Sequence, residues 1–290
     1  MTRVPVAWLG AVLPWLLVAC GQATRPFVAP QAALYDERGD CYLVSDGSGA
    51  PVAKPGHGRI LRVDAETGAL ADWLVGGEHG VTLRAPKGMA FAGDVLWVAD
   101  VDVLRKFDRA TAASLGEVVI PAANCLTDVS AAADGTIYCS DSGLDRELGA
   151  TGSDAIWRVS PAGVVEVLRR GPELGQPTGL VARDSGVFVV SWRDGVLYQV
   201  DRRGVRTDLG KAPTPQLTGL VRGEGDAASG PAAWYVSSWA GACVYHFDVS
   251  GAFTALPKRF DQPGDLGFDP KRRRLLLPLH GQRELLLLPM

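Results

Sequence analysis

Twelve side chains that could form a binding or catalytic site recur at two points of a repeated pattern. One set stands at or near the start of six similar segments: Gln31, Lys87, Thr127, Thr178, Thr218 and Asp265. The other set ends the segment that follows each of these: Asp46, Asp100, Asp141, Trp192, Trp239 and His280. Aromatic walls with a few converging polar groups are typical of a small-molecule site. Within the second set, His280 with Asp100 or Asp141 has the chemistry of an acid–base pair.

The three aspartates of the second set also have a structural interpretation, because Asp commonly accepts hydrogen bonds from backbone N–H groups in turns. No other catalytic pattern is visible in the sequence. The four histidines are scattered, and there is no G-x-S-x-G elbow or glycine-rich phosphate loop. The sequence therefore favours binding over catalysis.

The elements that must position these residues are short strands in six repeated units. In each unit, runs with period-two alternation are separated by turn residues, which indicates antiparallel hairpins. The first runs occupy residues 30–40, 86–94, 125–135, 177–186, 217–226 and 263–273. A repeat of about 45 residues with three or four strands is typical of a propeller blade. We expect an all-β, six-bladed propeller of four-stranded antiparallel blades, with a β-sandwich or two small barrels as the alternative.

The ring needs a closing strand, because units one to five contain a fourth run and unit six ends after its third, at residues 284–289. An incomplete blade leaves an exposed edge, and we expect residues 24–29, TRPFVA, to supply its outer strand. Both sets of site residues then converge on the upper face of the channel. Insertions at 46–59 and 141–154 should overhang that face. The basic turn at 270–274 should lie on the lower face, toward the membrane, or simply be solvated.

The amino terminus has the features of an export signal. Arg3 precedes an apolar stretch, Val4 to Ala19, which is shorter than the roughly 20 residues that span a bilayer. The ending Leu17-Val18-Ala19-Cys20 resembles the lipobox of bacterial lipoproteins. We expect a signal peptide at 1–19, a lipidated tether at 20–23 and the propeller at 24–290. The protein would be exported and anchored through Cys20 to the bacterial cell envelope, with the propeller in the periplasm or at the cell surface; an ordinary secretory signal or an uncleaved anchor is the alternative.

Composition narrows the class of partner. A hydrophobic content of 47% and a charged content of 21% are typical of a folded protein, and a net charge of −3 argues against nucleic-acid binding. We expect a monomer.

Four cysteines follow the leader: Cys41, Cys125, Cys139 and Cys243. Their spacing fits no metal-site pattern, and we expect most to be buried thiols; Cys125 and Cys139 are the pair close enough in sequence to test as a disulfide.

Six stretches carry a resemblance to a known family: PQAALYDERGDCYLVSDGSG, APKGMAF, LTDVSAAADGTIYCSDSG, PTGL, LTGL and DQPGDLGFDPKRRRLLLP. From about residue 28 to 290 the chain resembles the senescence-marker-protein and gluconolactonase-like six-bladed propellers, especially their exported bacterial members. The resemblance implies a channel that, in catalytic members, holds a divalent cation such as calcium or zinc. That cation would polarise a lactone carbonyl or activate water.

The positions that correspond to the family's metal ligands have changed in this chain. Gln31 stands where the resemblance implies Glu, Thr127 and Thr178 where it implies Asn, and Thr218 where it implies Asp. Neutral hydroxyls are weak ligands for hard cations, and Lys87 adds a positive charge. Asp128 and Asp265 lie one position later and, by strand alternation, should point away. No metal or other cofactor is expected unless the family's activity is retained.

These observations predict a membrane-tethered, exported propeller that has lost a metal-dependent lactonase site. It would bind a small polar ligand, or a loop of a partner protein, in the upper channel above Trp192 and Trp239. The alternative is a hydrolase of sugar lactones or related esters. That enzyme would use a rebuilt metal site, or His280 with Asp100 or Asp141.

Overall fold

The computed structural model describes residues 27–47, 56–145, 147, 149–223, 233–248 and 250–290. The expected signal peptide, the Cys20 tether and residues 24–26 lie outside these ranges, as does most of the insertion at 46–59. The described residues contain one helical element, the short 3-10 turn Pro172–Leu174. No helix among them is long and apolar enough to cross a membrane.

Six antiparallel sheets follow one another along the chain, and each is one blade of a propeller. The first three blades are β1 Pro30–Asp36, β2 Cys41–Asp46, β3 Arg59–Asp64 and β4 Leu70–Val75; β5 Pro86–Ala92, β6 Val95–Asp100, β7 Val103–Asp108 and β8 Ser114–Val119; and β9 Leu126–Ala131, β10 Ile137–Asp141, β11 Ala155–Val159 and β12 Val165–Arg170. The last three are β13 Pro177–Arg183, β14 Gly186–Ser191, β15 Val196–Asp201 and β16 Arg206–Lys211; β17 Leu217–Arg222, β18 Trp234–Ser238, β19 Cys243–Phe247 and β20 Phe253–Ala255; and β21 Gly267–Asp269, β22 Arg274–Leu279 and β23 Glu284–Pro289. The all-β, six-bladed architecture expected from the repeat is confirmed.

The turns that follow the third strands are built on aspartate. Asp64, Asp108, Asp201 and Asp248 each accept backbone N–H groups from the turn that follows them. An Asp side chain that bonds to the backbone two residues on fixes a tight turn. The recurring Asp near the end of the third run is therefore a local signal for the hairpin on the lower face.

The blades are held together by apolar side chains from neighbouring sheets. One cluster, for example, joins Leu43 and Ile60 of the first blade to Leu96 and Phe107 of the second. Full burial of such a side chain stabilises the fold by about 1.5–3 kcal/mol. Because each blade buries its faces only against its neighbours, the ring is the smallest unit that completes the core.

The inner strands contact one another in the ring order β1, β5, β9, β13, β17, β21 and back to β1. At the junction of the sixth and first blades, the Asp265 N–H donates to the Gln31 carbonyl at 2.8 Å and the Ala33 N–H donates to the Asp265 carbonyl at 3.3 Å. The ring is thus closed at its axis by backbone hydrogen bonds.

The outer edge of the last blade differs from the expectation. Its sheet has three strands among the described residues, and residues 27–29, assigned to a closing strand, form a bend instead. The reason is that the N–H groups of Val28 and Ala29 donate to the Asp46 carboxylate, so they are not available to pair with β23. Phe27, directly before them, is buried against the first and last blades.

Among the residues that it describes, the structure contains four buried free thiols: Cys41, Cys125, Cys139 and Cys243. Cys125 and Cys139, the pair considered for a disulfide, are not bonded to each other. The expectation of buried thiols is confirmed.

Candidate functional site

The strand register fixes which residue of each blade stands first at the axis. The head of each inner strand pairs with the end of the second strand, as Pro30 does with Asp46 and Pro177 with Ser191. The residues that follow the heads form the first layer: Gln31, Lys87, Thr127, Thr178, Thr218 and Gly264. Asp265, assigned to this layer from the sequence, belongs one step deeper. The sixth position is instead a glycine.

The same register separates the second set of predicted residues into two groups, the aspartates and the rings. Asp46, Asp100 and Asp141 pair with strand heads, and the residues in that position of the other blades are Ser191, Ser238 and Leu279. Trp192, Trp239 and His280 lie one residue later. A shift of one residue turns a strand side chain to the other face, so the three aspartates and the three rings do not form one layer.

The three aspartates are buried and do not line the upper cavity. Each accepts two backbone N–H groups from the segment that enters its own blade; Asp100, for example, accepts those of Arg84 at 3.0 Å and Ala85 at 2.7 Å. Asp141 does the same for Asn124 and Cys125. Arg59 and Arg105 pair with Asp46 and Asp100. This geometry matches the structural interpretation of these residues, because their acceptor sites are already filled.

The other nine predicted residues line a cavity of about 480 Å³ at the upper end of the channel. They are Gln31, Lys87, Thr127, Thr178, Trp192, Thr218, Trp239, Asp265 and His280. The lining also contains residues that the sequence analysis missed: Val28, Ala29, Gly88, Cys125, Ser142, Leu144, Gly264 and Arg283. Ser142 occupies in the third blade the position that Trp192 occupies in the fourth. An alignment of the units on the heads of their inner strands, rather than on the last residues of their second strands, would have identified it. A role for these residues in binding stays a prediction.

Aromatic rings of adjacent blades form one side of the cavity. The Trp192 and Trp239 rings meet edge to face with centroids 5.9 Å apart, and the His280 ring lies 5.3 Å from Trp239. His280 Nδ1 lies 3.2 Å from Oε1 of Gln262, so its hydrogen-bond partner is an amide. Burial, and then the nearby Arg283, lower the pKa of His280, which favours the neutral ring at pH 7. Among the hydrogen bonds of the described residues, His280 has no carboxylate partner for acid–base chemistry.

The positively charged Lys87 lies in the part of the lining opposite these rings. It is 6% exposed, and its Nζ lies 3.2 Å from Sγ of Cys125, which also lines the cavity. A cation that is largely shielded from water interacts more strongly with a nearby anion than one at the surface does. An anion beside Nζ of Lys87 would therefore be attracted more strongly than one beside an exposed lysine.

A pair of acids, Asp128 and Asp265, forms the floor. Asp265 lines both the upper cavity and a lower one of about 460 Å³, and Asp128 lines the lower one. Burial raises the pKa of Asp265 to about 7, whereas burial and the neighbouring Asp265 raise that of Asp128 well above its usual range. The Leu180 N–H donates to Asp128 at 2.7 Å. Strand alternation places these side chains away from the axis, but the inner strands carry bulges at this level, and a bulge redirects the side chains beside it.

Glycine in the neighbouring strand makes room for the Asp128 carboxylate. A Cβ on Gly88 would overlap Oδ1 of Asp128, and a Cβ on Gly219 would lie 2.6 Å from Oδ1 of Asp265. No side chain larger than hydrogen fits at either position without displacing an acid. The floor is thus a packed layer that separates the upper cavity from the lower one.

The first layer does not fit the divalent cation that the family resemblance implies. The threonine hydroxyls donate to backbone carbonyls: Thr127 to Cys125 at 3.1 Å, Thr178 to Leu217 at 2.7 Å and Thr218 to Pro263 at 2.7 Å. No group of three or more His, Cys, Asp and Glu side chains in the described ranges is placed to hold a metal. Hard cations favour charged oxygen ligands, and here Lys87 faces the same space.

Comparisons with known proteins agree with the fold. No protein-family model and no curated protein matches the chain. Among solved structures, a gluconolactonase from Xanthomonas campestris is 18% identical with a TM-score of 0.69, over 91% of this chain and 87% of that one. A calcium-binding regucalcin from Agrobacterium tumefaciens is 15% identical with a TM-score of 0.65, over 87% and 82%. A virginiamycin B lyase from Staphylococcus aureus, solved with quinupristin, is 12% identical with a TM-score of 0.62, over 92% and 97%. At these identities the likeness establishes a common propeller fold.

Proposed function

We propose that the protein is an exported, membrane-tethered propeller that binds a small ligand, or a loop of a partner protein, in its upper cavity. The observation that carries the proposal is the cavity of about 480 Å³ with Trp192 and Trp239 on its wall. This volume lies within the range of small-molecule sites, about 300–1,000 Å³. The threonine hydroxyls of the first layer already donate to backbone carbonyls. This arrangement suits the binding of a ligand better than the coordination of a metal.

A second candidate, a hydrolase of lactones or esters, is favoured by the floor. Asp265 has a pKa of about 7, and a group with a pKa near the working pH is suited to transfer a proton. The likeness in fold to a gluconolactonase supports the same class. A hydrolase would need a water molecule or a metal ion held above the floor. The side chains of the first layer offer few groups that could hold either one.

Metal content and lactone hydrolysis separate the two candidates. Purified, chelator-treated protein is analysed for bound metal, and lactone hydrolysis is measured with and without calcium, zinc and manganese. We expect less than stoichiometric metal and no metal-dependent turnover. Stoichiometric metal together with metal-dependent turnover would replace binding by catalysis as the function.

Restoring oxygen ligands tests the first layer directly. The double variant Thr178→Asn, Thr218→Asp supplies an amide oxygen and a carboxylate, and we expect it to bind calcium or zinc more tightly than the parent protein does, as measured by titration calorimetry. Thr207→Asn, Thr254→Asp makes the same changes on exposed positions of β16 and β20 and should leave metal affinity unchanged. Equal metal affinity in the two double variants would contradict the assignment of the first layer.

The proposal includes a fourth strand for the last blade, supplied by residues that precede Phe27. Phe27 is 4% exposed and packs in one cluster with Leu276, Leu285 and Leu287 of the last blade. Phe27 thus lies where the first and last blades meet. A strand from the amino terminus beside β23 would cover that edge. It would also explain how a tether at Cys20 holds the propeller close to a membrane.

A further inference from the structure

The apolar part of the cavity wall lies on one side. Trp192 follows β14 of the fourth blade and Trp239 follows β18 of the fifth. Their rings and that of His280 form a continuous surface. Flat rings favour edge-to-face or offset stacking with such a surface, which adds to the gain from the apolar area buried. A ligand that exploits this side therefore carries a flat apolar or aromatic group.

The buried cation lies across the cavity from these rings. Lys87 belongs to the second blade, and in a ring of six the second blade stands opposite the fifth, which bears Trp239. A carboxylate beside Nζ of Lys87 would form a charge-assisted hydrogen bond, which is about twice as strong as a neutral one. Arg283, exposed at the rim, adds a second positive charge.

The remaining wall is poor in groups that would recognise a neutral, highly hydroxylated ligand. Thr127, Thr178 and Thr218 already donate their hydroxyl protons to carbonyl oxygens. Asp265 is the only carboxylic acid among the described lining residues. A sugar placed here would receive no hydrogen bond from these three hydroxyls, and an unmatched loss of hydrogen bonds to water costs free energy. This wall suits a ligand with fewer hydroxyl groups than the small polar ligand expected from the sequence.

We infer that the ligand is an amphipathic organic anion, with a flat apolar body against Trp192 and Trp239 and its acid group beside Lys87. This inference rests on the proposed binding function and specifies the class of ligand. Three probes of one shape test it: 2-naphthoate, its neutral analogue 2-naphthamide and the cation 2-naphthylmethylammonium. Binding to the purified protein is measured by titration calorimetry at neutral pH.

The anion should bind best. We expect 2-naphthoate to have a dissociation constant at least about 10-fold lower than that of 2-naphthamide, since a shielded charge pair adds to the shared ring contacts, and the cation to bind most weakly. Lys87→Met keeps the length of the side chain and removes its charge. It should raise the dissociation constant of 2-naphthoate about 10-fold and change that of 2-naphthamide less than about twofold.

Two further variants complete the test. Lys106→Met removes a cation that lies over Trp97 on a groove between the second and third blades, and it should leave all three affinities unchanged. Trp239→Ala should weaken 2-naphthoate and 2-naphthamide alike. Thermal melting of each variant verifies that it is folded, and Lys87→Gln repeats the charge test if Lys87→Met is unstable.

The outcomes distinguish a wrong ligand class from a failure of the proposed function. If 2-naphthamide or the cation binds as tightly as 2-naphthoate, with Trp239→Ala weakening it, the cavity is a binding site but its ligand is not an anion. Equal affinity of 2-naphthoate for the parent protein and for the folded Lys87 variant would overturn the inference in the same way. If none of the three probes binds, the inference is overturned, whereas the proposed function, which also admits a loop of a partner protein, is decided by the metal and lactone-hydrolysis measurements.

Discussion

Asp128 and Asp265 meet across the channel from opposite blades, the third and the sixth, and this contact has consequences for stability. Burial raises the pKa of both carboxyls, that of Asp265 to about 7. An unfolded chain releases the same protons at about pH 4. The folded state therefore binds more protons than the unfolded state between these values. The stabilising contribution of the pair is complete below about pH 4 and is lost as the pH rises toward 7.

At the scale of the residue, we predict that Asp265→Asn flattens the pH dependence of stability. The parent protein should lose free energy of unfolding from pH 5 to pH 8, with a contribution from this pair of up to about 1.4 kcal/mol per pH unit for each proton. Denaturant unfolding at several pH values measures it. Asp184→Asn, on an exposed turn between β13 and β14, should keep the parent slope. Identical slopes in the parent protein and Asp265→Asn would show that the pair does not hold a proton.

The outer edge of β23 has no paired strand among the described residues. We predict that a chain beginning at Phe27 melts at a lower temperature and aggregates more readily than one beginning at Gly21, because the longer chain would cover the β23 edge. Hydrogen exchange gives the direct measurement: the amides of β23 that face away from β22 should be protected in the longer chain and should exchange quickly in the shorter one. Equal exchange in both chains would rule out closure by the amino terminus.

The basic turn at 270–274 is expected to contribute little to the proposed attachment to a membrane. Lys271 and Arg272 both pair with Asp40, at 2.5 and 2.7 Å, and Arg272 also pairs with Glu66 at 2.6 Å. Acids on the same lower face thus offset much of the positive charge of this turn. Its attraction to an anionic surface, about 1 kcal/mol for each cation at best, is correspondingly reduced.

We predict that Cys20→Ser moves the protein out of the membrane fraction of a bacterial host and abolishes incorporation of labelled fatty acid, because the acylated thiol is the proposed anchor. Fractionation and labelling measure the two effects. Cys243→Ala, at a buried thiol of the fifth blade, should change neither. Membrane retention of Cys20→Ser without label would point instead to an uncleaved apolar leader.

The strands themselves were determined by local sequence. β23, for example, has the bounds of the run at 284–289 that predicted it, because alternation and turn residues act within a few positions of the chain. The repeat of such units fixed the number of blades as well. The leader, too, is a local signal, although its role stays a prediction.

The site was decided by the tertiary structure. Bulges in the inner strands and pairing between strands set which of two adjacent residues faces the axis, so Asp141 is buried against backbone N–H groups while Ser142 lines the cavity. The acid pair exists because blades distant in sequence meet at the axis and Gly88 leaves room for Asp128. Local patterns specify strands and turns, whereas register and ring closure depend on contacts between segments far apart in the chain. For that reason the sequence determined the propeller, and only the assembled ring determined which side chains form its cavity.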